Sequence, residues 1–386
     1  MINSMTCNKI YLESLGVTAE VSAFCPEGGV AEWQALLHVE PRGEGFAGQW
    51  SRILQAEAAL LARRELDGAR CVAKRYFLSD STNQQPLMQE ACQCETASVS
   101  LIQQQPLDGS KIAAWLYLQR GIDITKEDGM TVGRHNGYTH LWQMGLTETA
   151  SDSAMQTEAI LRRYETELAE RGATLADNCI RTWFFVRDVD TQYAGMVRAR
   201  RENFIQQGLT EHTHYIASTG IGGLPARTEA LVQMGAYALM GFEPSQLRYL
   251  YARTHLNPTY EYGVTFERGS VVQYGDRDHI FISGTASIDN RGRVVHVGDI
   301  VGQTQRMWEN VEALLAEAGA TYDDVTHLIV YLRDTADYET VRQMFAQRFP
   351  DIPVVITLAP VCRPTWLIEM ECMAIRGTRH KEYREL

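Results

Sequence analysis

Gly302-Gln303, an amphipathic run, and then Val330-Tyr-Leu-Arg-Asp334 form the stretch that decides how this 386-residue chain is read, because the same arrangement occurs earlier. Gly48-Gln49 precedes a similar run that ends in Arg75-Tyr-Phe-Leu-Ser-Asp80. Asp80 lies 31 residues beyond Gln49, and Asp334 lies 31 beyond Gln303. A middle copy runs through Glu170-Arg-Gly-Ala-Thr-Leu-Ala176 to Trp183-Phe-Phe-Val-Arg-Asp188, matching Glu317-Ala-Gly-Ala-Thr-Tyr-Asp323 and the strand that follows it. Self-similarity at a fixed spacing marks tandem units. The spacing predicts an α+β chain of three related units, each one sheet backed by two helices, over residues 1–120, 121–256 and 257–386. Each is then the size of an ordinary domain, roughly 100–150 residues.

The third unit is the clearest. It predicts a strand at 280–283, a hairpin turn at Asp289-Asn-Arg-Gly292, a return strand at 293–296, a helix over 303–318, a strand at 327–332, a helix over 337–347 and two final strands. Met307, Val311, Leu314, Leu315 and Ala318 recur at 3/4 spacing and give the first helix one buried face. The polar stretch at 121–129 reads as a connector between the first and second units.

Composition excludes several classes. A formal net charge of −12 argues against a nucleic-acid-binding surface, which needs a basic patch. No apolar run approaches the length of about eighteen residues needed to span a bilayer. Eight cysteines, scattered without a Cys-x-x-Cys pair, read as reduced thiols; Cys92-Gln-Cys94 is the nearest approach to one. The chain reads as cytoplasmic, without metal or cofactor. A triplet closes its own ring, so a monomer is expected, with a dimer through the outer helices as the alternative. His212-Thr-His214 puts two imidazoles on one face of an expected strand, without a third ligand at metal spacing. Ser218-Thr-Gly-Ile-Gly-Gly223 lacks the Lys-Ser/Thr of a phosphate-binding loop and reads as a turn whose amides face a neighbouring unit.

The repeats differ where chemistry is carried. The last strand reads Leu367-Ile-Glu-Met-Glu-Cys-Met373 in unit three, Leu231-Val-Gln-Met-Gly-Ala-Tyr237 in unit two and Ile112-Ala-Ala-Trp-Leu-Tyr117 in unit one, so only the third keeps carboxylates. Alternate strand residues share a face, which puts Glu369 and Glu371 side by side. Burial and a neighbouring carboxylate both raise the pKa of one member of such a pair. Two readings stand at this point: solvated glutamates on an edge strand, or a general acid.

The order of elements, with Ile282-Ser-Gly-Thr-Ala286, Gly302-Gln303 and Ile368-Glu-Met-Glu-Cys-Met-Ala374, resembles the RidA/YjgF superfamily, whose single-domain members are trimers with ligand sites between subunits. A tandem triplet then imitates the trimer within one chain, a pseudo-trimeric arrangement. Deaminating members bind a substrate carboxylate through an Arg in a Pro-x-Arg element, where this chain has Pro353-Val354-Val355. A nearer likeness is to the chorismatase branch. Ser283-Gly-Thr-Ala-Ser-Ile288, Gly298-Asp299, and Cys362 seven residues before Glu369 are similar to that branch, as is Tyr193 seven residues before Arg200. The resemblance implies removal of pyruvate from chorismate, with Glu369 as general acid and Cys362 steering the product toward 3-hydroxybenzoate rather than the dihydroxy-diene acid. It also implies a site between units two and three. Arg200, Arg268 and Arg363 are the expected carboxylate binders, with Tyr193 and Tyr262 beside them. The alternatives are a RidA-like imine or enamine deaminase and a non-catalytic small-molecule binding protein.

Overall fold

The computed structural model describes residues 4–93 and 96–386, so Cys94 lies outside the described residues. Among them the chain forms three mixed sheets. Each is built around the same core, in which a long strand pairs in parallel with the next strand across a helix and antiparallel with the last. In the first unit Arg70–Leu78 pairs with Ser98–Gln103 across the helix Ser81–Gln93, and with Ile112–Arg120. In the second, Cys179–Val186 pairs with Ala217–Gly222 across Val189–Gln206, and with Val232–Met240. In the third, Val325–Leu332 pairs with Val354–Leu358 across Tyr338–Arg348, and with Ile368–Gly377. Even the irregularity repeats: the antiparallel register shifts between Cys71 and Ala73, Cys179 and Arg181, and Val325 and His327.

That shared register supports the alignment read from the sequence. Arg75 faces Trp115, Trp183 faces Gly235 and Ile329 faces Glu371; two pairs further along, Phe77 faces Ala113, Phe185 faces Gln233 and Tyr331 faces Glu369. Ala113, Gln233 and Glu369 therefore hold the same place in three units.

Central strands read as continuous apolar runs because both their faces are covered. In Ile112–Arg120, Ile112, Ala114, Leu116 and Leu118 pack under the helix Phe46–Leu61, while Ala113, Trp115 and Tyr117 face the other way. There they join Tyr138, Trp142, Trp183 and Tyr237 of the second unit and Phe281, Ile282 and Met373 of the third in one core. The inner faces of the three sheets thus meet. Backbone pairing closes each seam: Leu224–Pro225 adds to the edge of Ser98–Gln103, Glu267 N–H donates to Ile216 O, and Leu358 N–H donates to Gln105 O.

The third unit differs from its sequence reading at one hairpin. The partner of Arg277–Ala286 is the preceding strand Gly269–Gln273, and 287–299 is a loop with a single bridge, Ile288 to Val294. The charged residues Arg291 and Arg293 bond back to Asp289 and hold a tight turn, with no ladder beyond it. The helix Ile300–Glu317 starts where the Asp299 carboxylate accepts from Gly302 N–H, a side-chain N-cap, and buries Met307, Val311, Leu314 and Leu315. The stretch at 121–129 contains the strand Asp123–Glu127, paired with Met130–His135. Leu247–Leu250 precedes the 256/257 division yet joins the third sheet. Among the described residues no helix is long and apolar enough to cross a membrane.

Candidate active site

The seam between units two and three encloses a cavity of about 210 Å³ lined by Tyr193, Arg200, Tyr262, Arg268, Cys362, Arg363 and Glu369. These are all seven residues singled out in the sequence, from elements separated by up to 176 positions. Unit two supplies Tyr193 and Arg200 from one helix, with Ser218 and Gly220 from the strand beside it. Unit three supplies Glu369 from its last strand, Gly284 and Ala286 from the strand paired with it, and Cys362, Arg363 and Trp366 from the preceding loop.

Glu369 is 5% exposed. Burial first, and the charge of Glu371 second, raise its pKa to about 8, outweighing the opposing pull of Arg268 and Arg181. Among the described residues none donates a hydrogen bond to its carboxyl. The strand pairing beside it is irregular between Ile282 and Thr285, where Gly284 sits against it; a Cβ there would overlap Glu369 Oε1.

Glu371 has the opposite environment. Burial alone would raise its pKa, yet Arg75 and Arg181 hold it below the usual carboxylate range. Arg75 Nη1 lies 3.0 Å from Oε1 and Arg181 Nη2 2.8 Å from Oε2; Trp183 Nε1 donates to Oε1 at 3.1 Å and the Thr219 hydroxyl donates to Oε2. One carboxylate of the pair is therefore ionised and the other carries its proton, the division of labour by which two like groups perform different tasks.

The arginines are aimed but underused. Arg200 is 1% exposed; its Nη1 reaches Ser218 Oγ at 3.4 Å, while Nε and Nη2 have no partner. Arg268 donates through Nη2 to Asn257 O at 3.0 Å and leaves Nε free. The Arg363 guanidinium lies 4.6 Å from the ring centres of both Tyr262 and Trp366, which fixes its plane. Unspent buried N–H groups in fixed forks suit a carboxylate. Burial, then Glu369, push the Cys362 thiol up to about 12, so it is protonated at neutral pH and is no nucleophile. The Tyr193 ring lies against Gly220, where a Cβ would come within 3.1 Å of Cε2.

Three features escaped the sequence reading. Arg75 comes from unit one and grips Glu371; its signal was a basic residue inside the apolar run Val72-Ala-Lys-Arg-Tyr-Phe-Leu78. The 218–223 segment is mainly strand, with Ser218 N–H donating to Ser283 Oγ and Gly222 N–H to Pro360 O, so these two amides are engaged. His212 and His214 precede that strand, and no metal-ligating cluster occurs among the described residues.

The other two seams have cavities of about 350 and 300 Å³ without this chemistry. Between units one and two, Gln233 stands in the place of Glu369 and donates to Ser100 Oγ; Gln85, Gln89 and Cys92 line the helix side.

Residues 269–376 match the family model described as Endoribonuclease L-PSP. A stretch of 72 residues is 39% identical to the 3-aminoacrylate deaminase RutC of Acinetobacter baylyi; it covers 19% of this chain and 57% of that protein, little over half its length. Among solved structures, a chorismatase superposes with a TM-score of 0.62 over 97% of this chain and 99% of its own, at 18% identity. A RidA from an Antarctic Psychrobacter covers 33% of this chain and 98% of its own, at 18% identity and a TM-score of 0.28. The third unit is RidA/YjgF-like, and the whole chain has the fold of a chorismatase.

Proposed function

We propose that the seam between units two and three removes pyruvate from chorismate by acid-assisted cleavage of the enol ether. One observation carries this reading: a buried, proton-bearing Glu369 shares its cavity with Arg363 and with Arg200 and Arg268, whose buried N–H groups are only partly used.

The chemistry follows from that pairing. An enolpyruvyl ether is inert until its terminal methylene carbon takes a proton, so the acid must hold one near neutral pH. Glu369, with a pKa of about 8, is protonated about ten to one at pH 7. Transfer of its proton to the methylene makes an oxocarbenium ion beside the new Glu369 carboxylate. Water adds to that cation, and the hemiketal collapses to pyruvate and the ring alcohol. The proton released on addition returns to Glu369. Each turnover consumes one water and leaves the enzyme unchanged. Intramolecular capture by a ring oxygen in place of water leads instead toward a hydroxybenzoate. Arg200, Arg268 and Arg363 hold the two substrate carboxylates, and Cys362 packs where the cation is intercepted.

A second reading, an imine or enamine deaminase, is favoured by the RutC match. Incubation with chorismate separates the two. Pyruvate formed in equal amount to chorismate lost, and abolished in Glu369→Gln, supports the first reading. Untouched chorismate with ammonia released from imines supports the second.

A further inference from the structure

Behind the seam, at the meeting of all three sheets, lies a small chamber among buried side chains with about 20 Å³ of room, lined by Arg75, Trp142, Arg181, Trp183, His327 and Glu371 among others. Room of this size holds one water or one monatomic ion. Arg75, Arg181 and Trp142 are 1%, 2% and 3% exposed, and each leaves a donor without a partner: Arg75 Nε, Arg181 Nη1 and Trp142 Nε1. The neighbouring indole donors are already engaged, Trp183 Nε1 with Glu371 and Trp115 Nε1 with Gln34.

Charge and hydrogen-bond capacity choose between water and ion. Two guanidiniums face one carboxylate, and burial lowers the His327 pKa to about 3, so that ring is neutral. The chamber carries a surplus positive charge, which is costly to bury unpaired. A water accepts two of the three free N–H groups and must itself donate. Yet each Glu371 oxygen already accepts two bonds, Oε1 from Arg75 and Trp183, and Oε2 from Arg181 and Thr219, which leaves the neutral imidazole of His327, its Nδ1 engaged with Thr326 Oγ1, to accept from one of the water's two hydrogens. An anion accepts all three donors, needs no acceptor in return and cancels the charge.

We propose that this chamber binds one monatomic anion, chloride under ordinary ionic conditions, held by Arg75, Arg181 and Trp142. The site stands apart from whatever the seam binds.

The test is crystallographic, with a solution control. Crystals of the whole chain grown in bromide and measured at the bromine edge are expected to show one anomalous peak within hydrogen-bonding reach of these three nitrogens. In solution, replacing gluconate by chloride at constant ionic strength is expected to raise the melting temperature saturably, and Trp142→Phe to weaken the apparent halide affinity several-fold. Water density in the chamber without anomalous signal overturns the proposal. So does a peak seen only at molar bromide with no saturable melting shift, which marks an adventitious ion only.

Discussion

Replacing Glu371 by Gln removes the negative charge that helps keep the proton on Glu369 while preserving side-chain size. Residues two apart on a strand are separated by roughly 7 Å. Two unit charges at that distance interact by about 2.4 kcal/mol at an effective dielectric constant of about 20. That corresponds to about 1.7 pKa units. Arg75 and Arg181, no longer neutralised, push in the same direction. In the parent, pyruvate release is expected to fall as pH rises through about 8, where Glu369 loses its proton. In Glu371→Gln the alkaline limb of kcat moves down by at least one unit, so the loss at pH 8 is about fivefold or more and recovers toward pH 6. A pH–rate profile of pyruvate release reads this directly. The variant also leaves two buried guanidiniums poorly paired and melts at lower temperature, so the profile is taken well below its transition. General damage lowers the rate at every pH without moving the limb; an unmoved limb, or one displaced upward, means that the Glu371 charge does not hold the proton on Glu369.

Further outcomes follow from the same geometry. Gly284→Ala places a Cβ on the Glu369 carboxyl and should reduce kcat at least a hundredfold with a small change in melting temperature, measured by pyruvate release and thermal unfolding. Arg200→Met removes two unspent donors and a desolvated charge, and should raise KM for chorismate at least tenfold, about 1.4 kcal/mol or more, as read by initial-rate kinetics. Cys362→Ala should keep chorismate turnover and shift the products from hydroxybenzoate toward the dihydroxy-diene acid, resolved by chromatography.

The repeat was legible because each unit needs the same parallel crossover, and its apolar strands leave a fixed spacing between Gln303 and Asp334 as between Gln49 and Asp80. The cluster around Glu369 was legible because the carboxylates of Leu367-Ile-Glu-Met-Glu-Cys-Met373 have no counterpart in its sister strands. What escaped was set by tertiary pairing. Gly269–Gln273 and the loop at 287–299 both offer short segments beside a turn, and only the sheet decides that the first pairs with Arg277–Ala286. Asp123–Glu127 is polar because it is the edge of its sheet, so alternation there is weak. Arg75 could not be linked to Glu371 by spacing, since the contact spans 296 positions and exists only where three sheets converge.

The proposed chemistry requires Glu369 to hold a proton at neutral pH. A carbon-13 titration of its side-chain carboxyl, assigned by comparison with Glu369→Gln, tests it without substrate. The expected midpoint is near pH 8, with Glu371 ionised throughout the neutral range. A Glu369 midpoint in the ordinary carboxylate range, about 4 to 5, contradicts it.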